Sequence, residues 1–172
     1  MRKIVGIDLA GKEKNPSGYC LLEINDLEER VLKVLLLYSD DEIIGEIEKD
    51  NPILICVDAP LSFPSKGYFR DSDLALISLG FRPLSPMLPG MKTLAERAIK
   101  LKSILEARGY KVIEVFPRAT ERILNLKKER RVNKDKYDAF LCAITGKYYL
   151  KNRFEILENE IVIPSVDDEK EF

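Results

Sequence analysis

The stretch 53-ILICVDAP-60 decides the fold. An unbroken apolar run ends in one acid, Asp58, and Ala59-Pro60 then forces an extended exit. A strand that is apolar on both alternating faces is covered on both. That is the habit of a parallel sheet flanked by helices, which needs crossover connections. Two other stretches have the same form. In 2-RKIVGIDL-9, alternation sets Ile4, Gly6 and Asp8 on one face and Val5, Ile7 and Leu9 on the other. In 111-KVIEVF-116, Glu114 shares a face with Val112 and Phe116, and Pro117 stops the strand.

Working outward, residues 10–17 (AGKEKNPS) carry turn chemistry. Residues 18–24 read as a strand that returns antiparallel to the first, and residues 30–38 as a third. Residues 40–50 read as a helix with Ile43, Ile44 and Ile47 on one face and Asp40 as its cap. A proline-rich segment, 60–90, is expected to hold a short helix near 71–79. Longer helices follow over 92–108, ended by Gly109, and over 135–150, with 118–126 helical and 127–134 a basic connection between them. Residues 154–163 read as a terminal hairpin turning at Glu158-Asn159. This order predicts one α/β domain over 1–172. Its mixed five-stranded sheet has the first three strands antiparallel, the rest parallel, and helices on both faces.

Composition narrows the chemistry. The chain has no histidine. This excludes Ser-His-Asp and Cys-His nucleophilic machinery and histidine-ligated zinc. Acid–base or metal chemistry must then rest on carboxylates, and an all-oxygen site prefers Mg2+ or Mn2+. Cys20, Cys56 and Cys142 are scattered through apolar stretches, which predicts three buried thiols and neither a disulfide framework nor a cysteine zinc site. No apolar run approaches the roughly 18 residues of a membrane span. The N-terminal apolar run is interrupted too early, by Asp8, for a signal peptide, so a cytoplasmic location is expected. The absence of Gln and Trp, beside abundant Lys, Glu, Ile and Leu, matches the composition of heat-adapted proteins. A net charge of −1 is unlike a general nucleic-acid coat protein. Residues 118–136 nevertheless carry eight basic against three acidic side chains, and the tail at 167–171 is acidic.

The acids are placed suggestively. Ligands of open α/β sheets sit outside the carboxyl ends of the parallel strands, where Asp8, Asp58 and Glu114 would meet. Carboxylates gathered there repel one another unless a cation holds them. Asp135 and Asp138, three residues apart, share a face in the first turn of the last helix. Each acid also has an ordinary role open to it. Asp135 or Asp138 suits a helix cap, Asp8 a turn before Gly11, Asp58 a turn before Pro60, and Glu114 an ion pair with Arg118 or a lysine. Arg70 has a salt-bridge partner three residues on in Asp73, Tyr68 and Phe69 suit a core, and the basic segment suits a solvated face.

VGIDLAG, ILICVDAPLSFP, RDSD, VIEVFPRA and KDKYDAFLCAITG together resemble a family of predicted nucleases with an RNase H-like fold, a domain of unknown function in the RuvC/RNase H superfamily. The likeness spans residues 4–148. It implies Asp8 as the acid of the central strand, Asp58 as that of the fourth, Asp138 with Asp135 as the helical acids, and Glu114 as an extra acid on the fifth strand. The chain departs from RNase H-type enzymes in its pI, its lack of histidine and its long proline-rich segment.

The resemblance implies phosphodiester hydrolysis with Mg2+ or Mn2+. Two ions about 4 Å apart would be bridged by Asp8 and held by Asp58 and Asp138, with Glu114 or Asp135 orienting the water. Lys66, Arg70 and Arg118 are the expected phosphate contacts, because each closely follows an acid-bearing strand. The expected partner is nucleic acid, DNA or RNA, with no membrane, and a homodimer is an allowed assembly. Two rival readings keep the fold and change the function. One is a non-catalytic nucleic-acid-binding or assembly module. The other is an actin-like ATPase-type phosphotransferase, for which DLAGKEKNPSG offers only part of a phosphate loop.

Overall fold

The computed structural model describes residues 1–166; the acidic tail at 167–171 lies outside the described residues. The apolar stretches form β1 (Arg2–Asp8), β2 (Ser17–Ile24), β3 (Glu29–Leu37), β4 (Leu54–Asp58) and β5 (Val112–Val115). The helices are α1 (Asp40–Asp50), α2 (Asp71–Ser78), α3 (Pro89–Ala107), α4 (Pro117–Ile123) and α5 (Lys134–Leu150). Residues 154–163 form the expected hairpin, β6 (Phe154–Leu157) and β7 (Ile161–Pro164), with Glu158 and Asn159 in left-handed conformation at its turn.

One sheet contains all the strands in the order β3-β2-β1-β4-β5-β7-β6. β1 runs antiparallel to β2 and parallel to β4. β4 is parallel to β5, and β5 to β7. The expectation of five strands is corrected to seven, because the terminal hairpin extends the sheet beyond β5. Ile161, Val162 and Ile163 are buried there, and a free hairpin would leave them in water.

Helices cover both faces, as the doubly apolar strands require. On one face Ile43 and Ile47 of α1, with Ala98, Leu101 and Leu105 of α3, close over Val5, Ile7, Ile55 and Val57. On the other, Ala139, Cys142, Ala143 and Ile144 of α5 close over Ile4, Cys20, Leu54 and Cys56. Each fully buried aliphatic side chain in these layers contributes roughly 1.5–3 kcal/mol. All three cysteines are buried and free. Among the described residues no helix is long and apolar enough to cross a membrane.

Two local expectations change. The cap of α1 is Ser39, which forms a capping box with Glu42, so Asp40 sits one residue inside the helix. The cap of α5 is Asn133, whose side chain accepts from Lys136 N, so Asp135 lies in the first turn without capping it.

Seating α5 on the sheet depends on glycine. A Cβ on Gly6 would fall 2.1 Å from the carbonyl oxygen of Ala139, and one on Gly18 2.0 Å from that of Asp135. Only the missing side chains let the first half of α5 lie directly on β1 and β2, and this brings Asp138 to the end of β1.

Candidate metal centre

Asp8 and Asp58 are register partners at the carboxyl ends of β1 and β4, so their side chains leave the same face of the sheet. That face is the one α5 covers. Asp138, in the second turn of α5, is 2 % exposed and reaches the same point. One carboxylate oxygen from each of the three residues lies within 4.8 Å of the others. The end of β1 is fixed from behind. Buried Arg97 of α3 donates Nη1 to the carbonyl of Ala10 at 2.7 Å, Nη2 to that of Tyr38 at 2.8 Å and Nε to Asp40 at 2.9 Å.

The trio is electrostatically uncomfortable by itself. Burial, followed by the charges of Asp58, Asp138 and Asp135, pushes the Asp8 carboxyl up to about 8. Burial and the charge of Asp138 push Asp58 up to about 7, against the pull of Lys134 and Arg118. Two basic groups hold Asp138. Lys134 Nζ donates to Oδ2 at 2.7 Å, one helical turn away, and Arg118 at the start of α4 donates to Oδ1. The Lys134 side chain is 71 % exposed and that of Arg118 43 %, so both reach the buried Asp138 from the solvent side. Three carboxylate oxygen donors gathered this closely fit a hard divalent cation such as Mg2+ or Mn2+.

Glu114 does not join the trio. Its register partner is Val57, so it leaves the opposite face of the sheet from Asp58. There it meets Arg70 in a buried pair, with Nη1 and Nη2 each donating at 2.8 Å. Arg70 also donates to Asp73 from Nε at 3.0 Å and Nη2 at 2.9 Å, and to Ser62 from Nη1 at 3.2 Å. With all five guanidinium protons engaged and 4 % exposure, Arg70 offers nothing to a phosphate in this arrangement. The ion-pair alternative for Glu114 is thus present, with Arg70 in place of Arg118 or a lysine. The Arg70–Asp73 bridge is present as well.

Asp135 lies near enough to raise Asp8 but outside the trio. Lys66 is exposed in the loop before α2, on an outer cavity of about 890 Å³ that Phe63, Tyr68 and Phe69 also line. Tyr68 is 47 % exposed rather than core. Sequence reasoning missed Lys134 as a partner of Asp138, although the spacing i, i+4 signals it. It also missed Glu160, which accepts from Ser62 and Ser72 beside Arg70. No local signal marks that pairing, since Glu160 comes from the terminal hairpin.

No family model matches the chain, and no curated protein sequence matches it. Among solved structures, T. thermophilus RuvC in complex with a Holliday junction substrate is similar at 15 % identity and a TM-score of 0.53, over 87 % of this chain and 96 % of that one. A second structure of Thermus thermophilus RuvC aligns at 14 % identity and a TM-score of 0.49 over the same shares. At such identity the first likeness is one of fold, and the chain shares the RNase H-like architecture of RuvC.

Proposed function

We propose that the protein is a divalent-metal-dependent nuclease that hydrolyses phosphodiester bonds of nucleic acid. One observation carries the reading: the oxygens of Asp8, Asp58 and Asp138, from two parallel strands and the covering helix, lie within 4.8 Å of one another. The RNase H-like fold and its likeness to a RuvC bound to a Holliday junction support nucleic acid as the substrate. So does the run of basic residues at 127–136.

In this reading Asp8, Asp58 and Asp138 hold Mg2+ or Mn2+, which when bound lowers the pKa of water and stabilises the leaving oxygen. The chain does the rest. Arg118 and Lys134 neutralise Asp138 in the resting site and turn to the substrate phosphate when Asp138 is otherwise engaged. Asp135 adds negative charge at the rim. Glu114 is a positioning residue: it accepts from the backbone N–H of Leu61 at 3.0 Å and so fixes the turn that follows Asp58. Lys66, on the outer cavity, meets a more distant phosphate.

Titration calorimetry with Mn2+ tests the site. Wild type is expected to bind, and Asp8→Asn to lose roughly 100-fold or more in affinity, since even outer partners of a metal ligand are worth 10–100-fold. A nuclease assay of wild type, Asp8→Asn and Asp138→Asn tests the activity. Equal residual cleavage in all three would mean a contaminant. The pairing of Asp138 with Arg118 and Lys134 favours one second reading, a nucleic-acid-binding module whose acids are neutralised by the chain itself. That module would bind nucleic acid equally well with and without Mn2+.

A further inference from the structure

Asp8 and Asp58 of the trio line a cavity of about 400 Å³, within the range of sites that enclose small ligands. Its lining is carboxylate at these two residues and at Asp73 and Glu114, which Arg70 engages, and an apolar wall is built by Leu9 after β1 and by Leu84, Met91 and Leu94 from the end of the proline-rich segment and the start of α3. This wall is held in place. Ser85, 1 % exposed, donates its hydroxyl to the carbonyl of Tyr68 and accepts from Met87 N at 3.0 Å, while Leu84 beside it is 60 % exposed.

A phosphodiester gains nothing from an apolar wall, because its oxygens are charged and hydrated. The face of a nucleobase does gain, and that face is free only when the base has left its stack. Basic groups stand where the neighbouring phosphates would run. Arg82, with no carboxylate partner among the described residues, lines this cavity together with Arg118. Both also line an adjoining cleft of about 470 Å³ with Arg122.

Resting on the nuclease reading above, we infer that the substrate unit at the trio is an unpaired nucleotide. Its base lies against Leu84 and Met91, and its adjacent phosphate enters the cleft of Arg82, Arg118 and Arg122. The protein therefore selects single-stranded or extruded nucleotides over continuous duplex.

The test uses the full chain, a short oligonucleotide carrying 2-aminopurine, the same strand annealed to its complement, and Ca2+ in place of Mn2+ to slow cleavage. The single strand is expected to bind about tenfold or more tighter than the duplex. The duplex probe is expected to brighten on binding as its base unstacks. Leu84→Ala is expected to lower single-strand affinity about tenfold, the loss of one well-buried aliphatic contact. The Mn2+ isotherm of that variant reports that it is folded. Equal affinity for the two probes, or no effect of Leu84→Ala with the Mn2+ isotherm intact, would overturn this inference and leave the nuclease reading standing. Absence of Mn2+ binding by wild type would remove both.

Discussion

Two groups of wholly or half-buried carboxylates lie at the same edge of the sheet, and the chain compensates them differently. Glu114 and Asp73 enclose Arg70, whose five donors are all used and whose exposure is 4 %. Asp8, Asp58 and Asp138 enclose no side-chain cation; Lys134 and Arg118 reach only Asp138, from the solvent side. A neighbouring Arg70 supplies one group with a fixed counter-ion, although burial still raises the Glu114 carboxyl, whereas the other has no interior cation and its Asp8 and Asp58 are pushed up to about 8 and about 7. Of these two groups, Glu114 and Asp73 are neutralised by an interior guanidinium, and Asp8 and Asp58 are not.

The largest effect should come from removing that guanidinium. Arg70→Met leaves Asp73 and Glu114 buried without a cationic partner and is expected to cost about 3–5 kcal/mol, read from the denaturant midpoint. If instead the variant kept wild-type stability, the Arg70 group would be no different in kind from the trio.

Gly18→Ala sharpens the contrast from the other side. Its Cβ would meet the backbone of α5, so it should cost about 1–3 kcal/mol. It should also weaken Mn2+ binding by moving Asp138, while the Arg70 group, on the other face, is untouched.

The pH dependence of the metal-free protein comes next. The folded-state pKa of Asp8 is about 8 and that of Asp58 about 7, both above the ordinary 3.8. Between these limits the folded state binds more protons than the unfolded state. Stability is fullest below about pH 4 as far as these two groups are concerned, and is lost as pH rises toward 7 and 8. Each contributes a slope of at most about 1.4 kcal/mol per pH unit. Thermal melts from pH 5 to 8 should show Tm falling without Mn2+ and a flatter profile at saturating Mn2+. A flat profile in both conditions would break the distinction.

The smallest effect is expected for Arg118→Ala. Its own side chain is 43 % exposed and Lys134 still pairs with Asp138, so stability should change by less than about 1 kcal/mol. The salt dependence of nucleic-acid binding should fall by about one phosphate contact, measured as the slope of log K against log salt.

Much of this was readable in advance. The apolar strands at 53–58 and 2–9 announced a sheet buried on both faces, and the helix over 40–50 matched residue for residue. Asp8 and Asp58 stood out because an acid amid apolar neighbours must be paired or bound, and Asp138 by its place with Asp135 at the start of the last helix and by the family resemblance. Glu114 carried the same signature and ended elsewhere. Strand pattern tells that an acid is buried, but the register between β4 and β5 decides which face it leaves. The seventh-strand edge was equally hidden, since a hairpin's pattern is the same whether it stands alone or extends a sheet.

By itself the sequence determined the α/β class, the exclusion of histidine chemistry and the set of acids from which a site can be drawn. These follow from residue type and short-range periodicity, which are local properties. Only the tertiary structure decided which acids meet, which of them receive Arg70, and that an apolar wall from residues 84–94 lines one cavity with Asp8 and Asp58. Those outcomes depend on register, on the bare glycines beneath α5 and on contacts between segments far apart in the chain. Short-range pattern does not encode such contacts.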